Sequence, residues 1–449
     1  MSTIVAISTP RGRGALGIVR LSGPDALSLT CKIIEGQFEA EPRRTALHNV
    51  RDPHTHEVID QTLVTFFESP HSLTGEDVVE ISCHGSPVVL RRIVDLTLTF
   101  GARLAGPGEF TLRALSNGKL NLAQAEAIRD LISSQTQAAA QQAVRQLKGE
   151  LAAALEPIKN TLVNVIVLME SALEFVEDDL PAPQVKDIQE TLDLLYGGIE
   201  KLASSYRAGH LLQDGIKVAI VGSPNVGKSS LFNKILERER AIVTDIPGTT
   251  RDTLSEPVDI GGVPVLLTDT AGLRETADGI ENLGIERTQC AMTDADLVVV
   301  VLDGSVQLTA GDVAILDSTQ NSRRIVVRNK SDRSSFTKSG DETWEPASIN
   351  ISALNGTGLN NLKTAILDSF ELSTLESESL LVTNARHHDL LRHAQNELTS
   401  SQGLMANHAS EELVLVPLHN ALKFLGEITG ETTTEDILSQ IFATFCIGK

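Results

Sequence analysis

Gly222-Ser223-Pro224-Asn225-Val226-Gly227-Lys228-Ser229 decides the fold. A short apolar run, residues 217–221, precedes it, and a helical run, residues 230–236, follows it. Strand, glycine-rich turn and helix in that order meet the context a P-loop requires. The glycines let backbone N–H groups from Asn225 through Ser230 wrap a phosphate chain at a helix N-terminus. Lys228 is expected to reach the terminal phosphates, and Ser229 to ligate Mg²⁺.

Further motifs follow along the chain in the order a GTP site needs. Thr249 and Thr250 lie in Pro247-Gly248-Thr249-Thr250-Arg251-Asp252, and one of them completes the metal shell in a loop that orders around the γ-phosphate. Asp269-Thr270-Ala271-Gly272 follows the strand-like run 263–268. The aspartate is placed to hold Mg²⁺ through water, and the Gly272 N–H to meet the γ-phosphate. Asn329-Lys330-Ser331-Asp332 follows the run 325–327. A carboxylate there accepts from the two donors on the guanine edge, which adenine cannot offer. Ser352-Ala353-Leu354 supports the guanine oxygen from a backbone N–H. Hydrolysis also needs a group that orients water. Leu273 stands after Gly272 where a glutamine would serve, so Glu275, Glu281 and Glu286 are the candidates. No arginine is placed as a finger, and the Asn225 carbonyl oxygen could hold a monovalent cation in its stead.

Strand-like runs alternate with helical segments from Lys217 to about Phe370, the rhythm of a parallel α/β sheet. On either side the pattern is helical. An apolar stripe at spacings of three and four runs from Val144 through Leu151, Leu162 and Met169 to Val176, which predicts one long helix with Pro157 inside it. A second runs from Val185 to Tyr206, and others cover Leu390–Leu398, Leu422–Ile428 and Ile437–Phe445. The expected architecture is a helical bundle interrupted by an inserted α/β domain, with helices from both sides of the insert packed together. Residues 1–118 hold short β-rich runs broken by Gly and Pro and read as a small α+β domain. The divisions fall at 1–118, 119–213, 214–371 and 372–449.

The chain has 449 residues and a net charge of −21. That length predicts two to four domains. The acidic balance argues against a sequence-independent grip on nucleic acid and against an anionic membrane surface. No apolar run is read as long enough to span a bilayer, and the N-terminus lacks a secretion signal, so a cytoplasmic protein is expected. Cys31, Cys83, Cys290 and Cys446 form no metal-like or redox-like pair. The first three read as small buried residues; Cys446 stands apart because it lies beside the C-terminus.

Four regions carry a resemblance over the whole chain. They are Thr3-Ile4-Val5-Ala6-Ile7 with Gly12 to Gly23; Thr74-Gly75-Glu76-Asp77 to Glu80 with Cys83-His84-Gly85; Pro107-Gly108-Glu109-Phe110-Thr111 continuing to Lys119 and Ala127; and the end, Phe445-Cys446-Ile447-Gly448-Lys449. Together with the nucleotide motifs they resemble the bacterial tRNA-modifying GTPase family known as MnmE or TrmE. The implied fold is a folate-binding-like α+β domain, a helical domain and a Ras-like P-loop GTPase insert.

The resemblance implies more about function. The N-terminal domain would form a homodimer and bind 5-formyl- or methylene-tetrahydrofolate through Arg20, Glu80, Lys119 and Lys449. Thr244-Asp245-Ile246-Pro247-Gly248-Thr249-Thr250 would belong to the GTP site, with Asn225, Thr244, Ile246 and Thr249 around K⁺, and Ser229 and Thr250 on Mg²⁺. Glu281 would orient water, and Cys446 would serve the modification chemistry. With a flavin-dependent partner of the MnmG type, forming a heterotetramer, such a GTPase places a carboxymethylaminomethyl or aminomethyl group on carbon 5 of the wobble uridine of certain tRNAs. Arg11 and Leu73 depart from the family pattern, where a proline and an aromatic residue are common. A ribosome-assembly or RNA-chaperone GTPase switch is the alternative, and it leaves the N-terminal segment and the Cys-Ile-Gly-Lys end unexplained. A dynamin-like membrane GTPase is a second, and no basic or amphipathic patch favours it.

Overall fold

The computed structural model describes residues 2–174, 182–238, 255–270, 291–336, 348–372, 380–431, 438 and 441–448. The chain forms two compact units, one of Met1–Arg129 with Gly426–Lys449 and one of Asp130–Leu425.

The first unit is built on β1 (Ile4–Ile7), β2 (Leu16–Ser22), β3 (Thr45–Arg51), β4 (Val58–Phe67), β5 (Val78–His84) and β6 (Arg103–Leu104), in the sheet order β3-β4-β5-β2-β1-β6. Neighbours are antiparallel except β1 and β6. Alternation along the strands sends Val5, Val19, Leu21, Val64, Val79 and Ile81 to one face, where α1 (Ala26–Ile33) and α2 (Pro87–Thr99) bury them. Ile4 and Ala6 point the other way and meet Phe110, on α3 (Glu109–Ser116), and Ala105. This register sets Arg20 directly opposite Glu80. A smaller core joins Leu122 and Ala125, on α4 (Leu122–Ser133), to Phe442 and Phe445 from the end of the chain.

The second unit opens with α5 (Gln137–Leu147), α6 (Glu150–Glu174), α7 (Ala182–Ser204) and α8 (Tyr206–Asp214). The single helix expected over 144–176 is therefore two, broken at Lys148 and Gly149, while Pro157 lies on the exposed side of α6 and does not end it. The apolar spacing runs in phase across the break, from Leu147 to Leu151, which is why the stripe reads as continuous. Residues 150–173 of α6 are also, by length and composition, long and apolar enough to cross a membrane, against the expectation that no run is; 28% of the apolar window is buried. A core helix of a bundle meets the same test, and Leu155, Leu162, Ile166 and Met169 are buried.

From Gly215 the chain enters a second sheet: β7 (Ile216–Val221), β8 (Ser255–Ile260), β9 (Val263–Asp269), β10 (Leu297–Asp303), β11 (Arg324–Asn329) and β12 (Ile349–Asn350). The order is β12-β11-β10-β7-β9-β8, parallel except for β8. β10 is buried through its apolar run because both faces are covered, as a central parallel strand requires. The helices of this part are α9 (Lys228–Arg238), α10 (Ala310–Ser318) and α11 (Leu359–Asp368). The chain then returns to helix in α12 (Ala385–Ala406) and α13 (Glu411–Thr429). α12 packs along α7, with Gln402 bonded to Asp193 at 2.7 Å, so helices from before and after the insert do join. Cys83 is buried as expected, whereas Cys31 is exposed because it faces outward on α1; Cys290 lies outside the described residues.

Candidate functional site

Between the end of β7 and the start of α9 the chain turns through residues 222–227. Asn225 takes a left-handed conformation at φ 64°, which asparagine tolerates better than most side chains. Gly227, at φ 99°, has a firmer requirement: a Cβ there would stand 2.2 Å from the amide nitrogen of Asn329. That close approach is functional in shape. Asn329, 2% exposed at the end of β11, donates to the Val226 carbonyl at 2.9 Å and accepts from the Ala353 N–H at 2.9 Å. One side chain thus ties the phosphate loop to the segment expected to meet the guanine oxygen.

Lys330 adds a second tie. Its ammonium donates to the Asn225 carbonyl at 2.8 Å and to Asp303 at 2.5 Å. Burial would raise the Asp303 pKa, but Lys330 and two donations from Ser305 outweigh it, and the carboxyl is held below its usual range. Lys228 is 7% exposed and donates to the Gly222 and Ser223 carbonyls at 2.9 Å each. Ser229 and Ser230 are exposed on the first turn of α9. Asp269, 3% exposed, pairs in register with Ile220 on β7, and the Thr270 hydroxyl donates to the Ile220 carbonyl at 2.8 Å.

The guanine motif faces a cleft of about 440 Å³ lined by Gly227, Asn329, Lys330, Asp332, Ala353 and Leu354. Asp332 accepts from the Ser352 hydroxyl at 2.5 Å, and Leu354 is 79% exposed at the cleft's rim. Lys234 and Arg333 also line it. Sequence reasoning missed both, because a surface lysine on a helix and an arginine after a motif carry no signal of their own. Thr244, Asp245, Ile246, Pro247, Gly248, Thr249, Thr250, Ala271, Gly272 and Glu281 lie outside the described residues, as do the other water-orienting candidates, Glu275 and Glu286.

The first unit holds a second constellation. Arg20 donates through Nε to Glu80 Oε1 at 2.8 Å, and its Nη2 lies 2.8 Å from the same oxygen. Its Nη1 donates to the Gly448 carbonyl at 3.1 Å, which the Ser8 hydroxyl also reaches at 3.0 Å. The last residues therefore lie against the opening strands. Ile447 bridges Pro107, the Gly108 N–H donates to the Cys446 carbonyl, and Gly448 adopts φ 98° where a Cβ would stand 2.4 Å from the Ile7 carbonyl oxygen. Cys446 is exposed. Glu80 Oε2 makes no hydrogen bond among the described residues. Lys119 donates to the Pro70 carbonyl at 2.7 Å, and its hydrogen bonds among the described residues do not join it to the Arg20–Glu80 pair. Lys449 lies outside the described residues.

Two acidic residues of the recurring motifs are occupied structurally. Glu76 accepts from Ser22 and from Arg113, each at 2.8 Å. Glu109 accepts from Arg103, from Arg113 at 3.0 Å and from the Gly106 N–H at 2.9 Å. Arg113, 5% exposed, also donates to the Ser2 carbonyl.

Two families match the chain. One described as the MnmE helical domain matches residues 122–446, and one described as GTP-binding protein TrmE N-terminus matches residues 3–119. The tRNA modification GTPase MnmE of Koribacter versatilis (strain Ellin345) is 43% identical over 451 residues, covering 100% of this chain and 99% of its own. That of Aquifex aeolicus (strain VF5) is 43% identical over 450 residues, covering 99% of each. Among solved structures, a single-site variant of Aquifex aeolicus Era bound to GDP·AlF4⁻ aligns with 40% of this chain and 66% of its own at 24% identity, with a TM-score of 0.27.

Proposed function

Given that the chain belongs to the MnmE family of tRNA modification GTPases, we propose that it hydrolyses GTP with the help of K⁺ to drive modification of the wobble uridine in certain tRNAs. The observation that carries this reading is the pair of ties from Asn329 and Lys330 to the Val226 and Asn225 carbonyls. Base recognition and phosphate binding then share one hydrogen-bonded surface, as selective use of GTP demands.

In this reading Asp332 accepts from the guanine edge, the segment of Ser352, Ala353 and Leu354 meets the guanine oxygen from a backbone N–H, and Lys228 leaves the Gly222 and Ser223 carbonyls for the terminal phosphates. The donor set fits a hard divalent cation, since the Ser229 hydroxyl at the start of α9 and, through water, the Asp269 carboxylate at the end of β9 offer oxygen. Ser229 and Thr250 would hold Mg²⁺, which neutralises charge on the phosphate oxygens when bound. The amide oxygen of Asn225, an exposed residue of the phosphate loop, fits a monovalent cation shared with Thr244, Ile246 and Thr249. Such a cation would supply positive charge to offset what develops in the transition state. Glu281 orients the attacking water.

The Arg20–Glu80 pair is read as the tetrahydrofolate site, with Lys119 and Lys449. Glu80 Oε2, which makes no hydrogen bond among the described residues, suits the N–H donors of a pterin, and basic side chains suit the anionic tail. Cys446, two residues before the Gly448 carbonyl that Arg20 holds, would take part in the modification. We read residues 1–118 as the folate-binding and dimerising part of a cytoplasmic homodimer, 214–371 as the GTPase insert, and 119–213 with 372–449 as the helical part. A flavin-dependent partner of the MnmG type would complete the enzyme on tRNA. Mass spectrometry of tRNA nucleosides, with the gene deleted and then restored, tests the reading. Loss and return of the C5-substituted wobble uridine is the expected result. Unchanged nucleosides would favour the ribosome-assembly alternative.

A further inference from the structure

The P-loop's second residue is a serine, and its hydroxyl is not turned to the cleft. Ser223 Oγ donates to Asp312 Oδ1 at 2.5 Å, across 89 positions of sequence. Asp312 is 5% exposed and sits in the first turn of α10. Its other oxygen accepts from the Thr309 N–H at 2.9 Å and the Thr309 hydroxyl at 2.7 Å, while its own N–H donates back to that hydroxyl at 3.2 Å. This is a reciprocal cap. Burial would raise the Asp312 pKa, yet the donors around it outweigh burial and hold it low, so the charged form is the one that grips Ser223.

The same serine's carbonyl accepts from Lys228. Asp312 therefore fixes a residue whose backbone cradles the ammonium that GTP must recruit. With Asn329 holding Val226 and Lys330 holding Asn225, the loop is fastened on both flanks, and Asp312 supplies the N-terminal fastening.

We propose that Asp312 is a positioning residue for the nucleotide: through the Ser223 hydroxyl it keeps the phosphate loop in its binding shape before GTP arrives. Removing the bond makes GTP binding supply the ordering, so affinity falls.

The test is a double-mutant cycle on the full chain, read by fluorescent-GTP titration and by steady-state kinetics. Ser223→Ala and Asp312→Asn are each expected to weaken GTP binding and raise KM by about tenfold, the equivalent of one charge-assisted hydrogen bond, with the change falling on KM more than on kcat. The double variant should be no worse than either single one. Ser223→Thr, which keeps the hydroxyl, should restore affinity. Because Asp312 also caps α10, Thr319→Ala, which removes a hydroxyl bonded to the Ile315 carbonyl at the far end of that helix, serves as the structural control: it should lower thermal stability and leave KM unchanged. Unchanged KM in Ser223→Ala, additive effects in the double variant, or an equal KM rise in Thr319→Ala would each overturn the proposal.

Discussion

At the residue scale, the nucleotide site depends on a few atoms in tight places. Gly227 is the sharpest case. Its positive φ disfavours any side chain, and the space a Cβ needs is filled by Asn329. Gly227→Ala must push Asn329 off both Val226 and Ala353, so affinity for GDP should fall by about tenfold or more, measured by titration with a fluorescent GDP. Unchanged affinity would mean that Asn329 does not bridge the two segments. The phosphate-loop glycines, Lys228 and the Asn-Lys-Ser-Asp run were readable from sequence because their chemistry is local. Asp312 was not, since an aspartate near a threonine reads as a helix cap, and nothing in the chain marks its distant serine partner. Glu76 and Glu109 show the converse. They stand in motifs that look like a site, yet their oxygens are committed to Arg103, Arg113 and Ser22.

At the scale of elements, that ion network fastens α3 and β6 to the loop before β5. Burial would raise the Glu109 pKa, but Arg103, the Gly106 N–H and Arg113 pull it down to about 2. A carboxyl whose pKa is depressed on folding stabilises the fold above its unfolded value and loses that contribution as pH falls toward the folded one. Glu109→Gln should therefore cost about 1–3 kcal/mol in urea unfolding at pH 7. The gap between variant and wild type should shrink by about half or more at pH 3, which lies between the two pKa values. A gap independent of pH would assign the loss to packing. β7, β9, β10 and β11 of the second sheet were legible because buried parallel strands are unbroken apolar runs, whereas the antiparallel β8 and the two-residue β12 were not. The break between α5 and α6 was not, because the apolar phase is kept across Gly149. The apolar character of α6 likewise came from an extended stripe whose members are individually ordinary.

At the scale of the whole molecule, the two ends of the chain meet in one compact unit, with Ser8 and Arg20 both holding the Gly448 carbonyl. Sequence could single out the terminal motif, but only the register of β1, β2 and β5 shows that it lies against Arg20 and Glu80. The other unit contains the GTPase sheet between helices that rejoin across it, which was legible from the switch in periodicity at Lys217 and back near Phe370. We propose that in this GTPase insert a monovalent cation at Asn225 does the work of a water-orienting glutamine or an arginine finger, Leu273 standing after Gly272 where the glutamine would be. The deciding measurement is GTP turnover by the full chain in KCl and in NaCl at equal ionic strength. Turnover is expected to be faster in KCl, on the order of tenfold or more; equal turnover in the two salts would remove the cation from the mechanism.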